Sequence, residues 1–189
     1  MKPNTRDTII AAALDLFYSR GYTATGVLDI TKAAGVPKGS FYHFFPSKEA
    51  LAEATVIEYT KNNRIELLTS SSTSPLQRIH NHIDHLLDFA ERDGYVRGCL
   101  FGNFSTEMPS QSDLVSRAVA AALDNWVKQL TLTITEAKEA GEISTNSDPA
   151  RLATHIVASI EGALAQCKVS RSSAPLELTI TTIFTDLLY

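Results

Sequence analysis

The feature that most constrains this chain is a hydrophobic period of 3.6 residues that runs almost from end to end. Ile10, Ala13, Leu14 and Phe17 recur at i, i+3, i+4 and i+7, which puts them on one stripe of a helix. The same period returns in Leu76, Ile79, Ile83, Leu86 and Leu87, and again in Val119, Ala122, Trp126, Leu130, Ile134 and Ala137. It appears once more in Leu152, Ile156, Ile160, Ala163 and Cys167. No alternating strand pattern competes with it. An all-α fold of about nine helices follows.

Punctuation sets the helix ends. Asn4 caps the first helix and Gly21 stops it. Thr25 is the expected cap of a short second helix, 27–34, with Asp29 in its first turn. Gly35-Val36 turns the chain, and Pro37 suits the first position of a third helix. Pro46 ends it, and Ser47 caps a fourth helix expected over about 48–69. After the polar linker 70–74, a fifth helix follows Pro75, and the ambiguous segment 98–104 reads as a short sixth. A long seventh covers about 113–140 up to Gly141, and Asp148-Pro149 opens the eighth. A last helix spans about 175–188.

The stretch GVPKGSFYHFF, residues 35–45, divides by face. At about 100° per residue, Phe41, Phe44 and Phe45 fall on one side and are expected to pack inward. Lys38, Gly39, Tyr42 and His43 fall on the other, with Ser40 at the edge. Two short helices joined by a glycine turn form a helix-turn-helix. Its outward face carries a cation, a phenol, an imidazole and a position with no side chain. Those groups suit phosphate oxygens and base edges of a DNA major groove. Lys48 lies in the first turn of the fourth helix, where a cation is unfavourable to the helix dipole. A phosphate docked there would explain it.

Charge agrees with this division. Residues 1–50 hold six Lys/Arg against four acids, or +2, leaving 11 against 17, or −6, for the rest. No apolar run approaches 18 residues, so no membrane span is expected. The polar start, Met1 to Arg6, lacks signal-peptide character, which points to the cytoplasm. Cys99 and Cys167 match no metal or redox spacing. His80, His82 and His85 do not complete a ligand set, so no metal and no cofactor is expected. A nucleophile elbow, a phosphate-binding glycine loop and spaced catalytic carboxylates are all missing, which argues against an enzyme.

The run AALDLFYSRGYTATGVLDITKAAGVPKGSFYHFFPSKEAL, within residues 6–52, resembles the N-terminal domain of the TetR family of transcriptional repressors. The resemblance implies a DNA-binding domain over 1–47 and a variable helical effector and dimerisation domain over 48–189. It implies a homodimer on a palindromic double-stranded DNA operator, paired through about 149–188 and released by a small-molecule effector. It assigns the DNA-contact role to Lys38, Ser40, Tyr42, His43 and Lys48, and gives Thr25 a cap and contact role. Many members carry a basic residue where this chain has Leu28, and residues 37–45 contain no arginine. Specificity is then expected to lean on Lys38 and on DNA shape.

The segment Arg97 to Phe104, with Ser105 to Met108 and the later Ser170-Arg171-Ser172, resembles the subgroup of the N-ethylmaleimide reductase repressor. That similarity suggests sensing of electrophiles or oxidants through Cys99, which sits after Arg97 and near a helix start. Reversible binding of an apolar ligand near the same segment is the alternative, with Phe104, His82 and Trp126 as candidate lining. A small buried hydrophobe is the third possibility for Cys99. Cys167 reads as core.

Overall fold

A computed structural model describes residues 4–189. The part of the N-terminal reading that falls on Met1–Pro3 lies outside them. The described residues form nine α-helices: α1 (Thr5–Arg20), α2 (Val27–Ala33), α3 (Lys38–Phe44), α4 (Lys48–Asn62), α5 (Pro75–Arg92), α6 (Leu100–Glu107), α7 (Asp113–Glu139), α8 (Pro149–Ser170) and α9 (Ala174–Thr182). The all-α expectation holds.

Most ends fall where the caps require. Asn4 Oδ1 accepts from the Asp7 N–H at 2.9 Å, Ser47 Oγ from Ala50 at 3.1 Å, and Asp148 Oδ1 from Arg151 at 2.9 Å. Gly141 ends α7 with φ 72°, a conformation that favours glycine. Two expectations need correction. Thr25 is not the cap of α2. Gly26 is, and its N–H is met by the Asp29 carboxylate at 2.9 Å. Nor does α4 run to residue 69. Arg64 takes φ 49°, which stops the α-helix at Asn62, and Ile65–Thr69 closes as a tighter 3-10 turn. The last helix likewise ends in a π turn at Ile183–Leu187.

The chain divides into two compact units: the residues up to Asn62 with Cys99–Ala122, and Asn63–Gly98 with Leu123–Tyr189. This differs from a boundary after residue 47. The reason lies in α4, which packs along α1 with Leu51, Ala52 and Val56 buried. The core of the first unit also contains Ile9, Ala13, Phe17, Ile30, Phe41, Phe101 and Phe104. Burying a side chain such as Phe41 contributes about 2–3 kcal/mol to holding α3 in place. The second unit has its own core in Leu68, Ile79, Ile83, Trp126, Leu130, Ile134, Ile156 and Ile160.

Candidate nucleic-acid interface and sensor residues

The interface is built on α3. Phe41 is fully buried and Phe45 nearly so, and their rings lie 6.0 Å apart. They anchor a seven-residue helix that is too short to be stable by itself. Phe44 does not join them. It is 36% exposed and lies edge-on to His43 at 4.8 Å, which corrects its expected inward packing. α3 ends at Phe44, and it is Phe45, extended just past the helix, that turns inward. Lys38, Gly39 and His43 are exposed, Tyr42 is 54% exposed, and Ser40 is half-buried. The five outward residues therefore share one accessible surface as expected.

Gly39 is informative. A Cβ built there would meet nothing within 4 Å. The fold itself gives no reason for a glycine inside this helix, where it costs about 0.5–1 kcal/mol relative to alanine. Leu28 on α2, 54% exposed, is the neighbouring oddity, since it presents an apolar side chain where a cation was the common pattern.

Two residues of the expected contact set have partners within the fold. Thr25 is 1% exposed, and its hydroxyl donates to the Gly21 carbonyl at 2.8 Å. Lys48 donates from Nζ to the Tyr22 carbonyl at 2.7 Å and lies 3.8 Å from the centre of the Tyr22 ring. Burial pushes its ammonium pKa down, and the Glu107 carboxylate opposes that shift.

The four sensor candidates separate into two pairs. Cys99 and Phe104 belong to the first unit, His82 and Trp126 to the second. Phe104 is buried in the core, edge-on to Phe17 at 5.9 Å and to Tyr22 at 6.3 Å. Cys99 caps the N-terminus of α6, is buried, and accepts from the Tyr59 hydroxyl at 3.6 Å. Burial, the Cys99 thiol and the Tyr18 ring together hold the Tyr59 hydroxyl well above its ordinary pKa. Cys167 is buried in α8, as expected, and burial raises its pKa. His82 is 1% exposed and sits edge-on to Trp126 at 5.7 Å. Burial drives its pKa down to about 4, so the ring is neutral. The nearby Arg64 carbonyl opposes that shift, yet neither ring nitrogen makes a hydrogen bond of good geometry, nor does Trp126 Nε1. Such orphaned buried groups are costly unless something meets them. No group of three His, Cys, Asp or Glu among the described residues is placed to hold a metal. No helix among them is long and apolar enough to cross a membrane.

Comparison with known proteins now decides the family. Residues 9–55 match the bacterial regulatory proteins of the tetR family, and residues 75–183 match the tetracyclin repressor-like C-terminal domain. The chain belongs to the TetR family. The HTH-type transcriptional repressor DhaR of Mycobacterium sp. strain GP1 is 35% identical over 97% of this chain and 92% of its own length. The repressor NemR of Escherichia coli K12 is 33% identical over 92% of this chain and 89% of its own. The crystal structure of E. coli NemR in its reduced form superimposes with a TM-score of 0.87 at 30% identity, covering 95% of this chain and 94% of that one. This TetR-family chain is thus a DNA-binding transcriptional repressor, and its relatives are regulators rather than enzymes.

Proposed function

We propose that this TetR-family repressor reads a palindromic operator as a homodimer through Lys38, Gly39, Ser40, Tyr42 and His43, and that a small-molecule effector releases it. The observation that supports the reading is the outward face of α3. It combines an exposed cation, phenol and imidazole with a glycine that nothing in the chain requires. Lys38 and the hydroxyl of Tyr42 reach phosphates or base edges, and Gly39 lets the DNA approach closely. The test is binding to the DNA upstream of the gene as a function of salt. Affinity should fall steeply with salt, and Lys38→Ala should flatten the slope by about one unit. Tyr42→Ala should weaken binding by about tenfold. Binding that is insensitive to salt and to both substitutions rejects the reading.

Two effector chemistries are supported by different observations. The orphaned nitrogens of His82 and Trp126 favour reversible binding of a ligand with a polar atom on an apolar body. The position of Cys99 at the start of α6, with the Tyr59 hydroxyl on its sulfur, favours thiol chemistry. The relative solved in a reduced form adds weight to that second reading. Addition of N-ethylmaleimide to the protein–DNA complex separates them. Release that disappears in Cys99→Ser assigns the sensor to the thiol, and release that persists removes Cys99 from it.

A further inference from the structure

Two side chains in the first unit sit where helix dipoles disfavour them. Lys48 puts a cation in the first turn of α4, and Glu107 puts a carboxylate at the last residue of α6. Both reach the same short corner, residues 21–25, which leads from α1 into α2.

Glu107 Oε2 accepts from the Thr23 backbone N–H at 3.0 Å and from the Thr23 hydroxyl at 3.3 Å. Gln111, just beyond α6, donates to that same hydroxyl at 2.9 Å. Lys48 holds the Tyr22 carbonyl and covers the Tyr22 ring. Gly21 has φ 85°, and a Cβ built on it would fall on Glu107 Oε1. The backbone here favours glycine, and any side chain at this position would have to displace the Glu107 carboxylate. Phe104, one turn earlier on α6, packs on Phe17 and Tyr22. The Thr25 hydroxyl closes the corner back onto the Gly21 carbonyl. The chain enters α2 at Val27, and α3 packs on α2.

We propose that Glu107 is a positioning residue for DNA reading: from the end of α6 it clamps the α1–α2 corner and so fixes the direction in which α2 and α3 leave it. The proposal rests on the assignment of α3 as the DNA-reading helix. It adds a side chain on α6, 84 residues from its partner Thr23 in sequence.

The test uses the full-length protein and a duplex that the wild type selects from a random-sequence pool. Glu107→Ala removes a charged acceptor from a backbone donor and should weaken binding to that duplex by about tenfold. Glu107→Gln keeps an acceptor for the Thr23 N–H and should stay within about threefold of wild type. Amide hydrogen exchange over residues 22–26 should quicken in Glu107→Ala, while binding to an unrelated duplex should change by less than about twofold. Cooperative thermal unfolding establishes that the variant is folded. If it is not, Glu107→Asp, one methylene too short to reach, is read in the same way. A folded variant that binds the selected duplex like wild type, or whose residues 22–26 exchange at the wild-type rate, overturns the proposal alone. A wild type that selects no duplex overturns the DNA-reading assignment and this proposal with it.

Discussion

His82 shows at the scale of one residue what burial does to a titrating group. Its ordinary pKa is 6.5 and its folded value is about 4, with desolvation as the leading cause. Between those values the unfolded chain binds a proton that the folded chain refuses, so stability falls as pH falls through that window. The stabilising contribution is complete above pH 6.5 and lost toward pH 4. From pH 7 to pH 5 this one group should cost about 2 kcal/mol of stability. Urea unfolding at the two pH values measures it, and His82→Leu should lose less stability over the same interval than wild type. Equal losses in the two proteins would remove His82 from the acid limb. The sequence showed that His82 lies close to an apolar stripe, but not that its ring is closed in against Trp126, 44 positions further along the chain.

At the scale of an element, α3 is where local pattern and tertiary need part company. Its period, its glycine turn and the proline before it are all legible because they are local. The exposure of Phe44 is not, since it depends on where the last turn stops. The same holds for α4. Its start at Lys48 is written in Pro46-Ser47, whereas its end is set by the backbone of Arg64 and the 3-10 turn over Ile65–Thr69, which the helical period does not show. There the Arg78 guanidinium, paired with Glu136, donates to the Leu68 carbonyl at 3.0 Å, and Thr133 donates to that carbonyl at 3.1 Å. Lys48 and Thr25 were readable as residues of the right chemistry, but their partners, Tyr22 and Gly21, lie in a corner whose shape the pattern does not encode. Glu107 carried no signal for its contact with Thr23, because that partner is 84 residues away. Gly39 allows a direct test of whether α3 is shaped for itself or for a partner. Gly39→Ala should raise stability by about 0.5–1 kcal/mol, since the helix gains propensity and the new methyl meets nothing. The same change should weaken operator binding by about tenfold, because the methyl then stands in the way of DNA. Thermal unfolding and a DNA titration on one preparation give both signs. A variant that gains stability and keeps full affinity would show that no ligand comes close to this position.

For the whole molecule, a single reading head of seven helical residues offers few base contacts, so pairing two of them is the economical route to specific binding. In a two-fold repressor the two α3 helices enter successive major grooves about 34–36 Å apart. The surface we propose for pairing is on α8 and α9. Thr154, Ala158, Gly162, Ala165 and Val169 recur along the exposed side of α8, and Val169 and Leu178 stand out as large apolar side chains in the open. A Cβ at Gly162 would meet nothing within the chain, so the single protomer tolerates a side chain there. Across a two-fold axis, however, the same patch meets its own copy, and any charge placed on it is duplicated. Gly162→Glu should therefore leave the protomer folded, with a helix that is intrinsically more stable, while it separates the dimer. Sedimentation velocity should show a monomer at concentrations where wild type is dimeric. Operator affinity should fall by about tenfold or more, because each half-site is then bound alone. Binding to a duplex that carries a single half-site should be unchanged. If Gly162→Glu still sediments as a dimer, the pairing surface lies elsewhere. If it sediments as a monomer with undiminished operator affinity, the palindromic mode of reading is wrong.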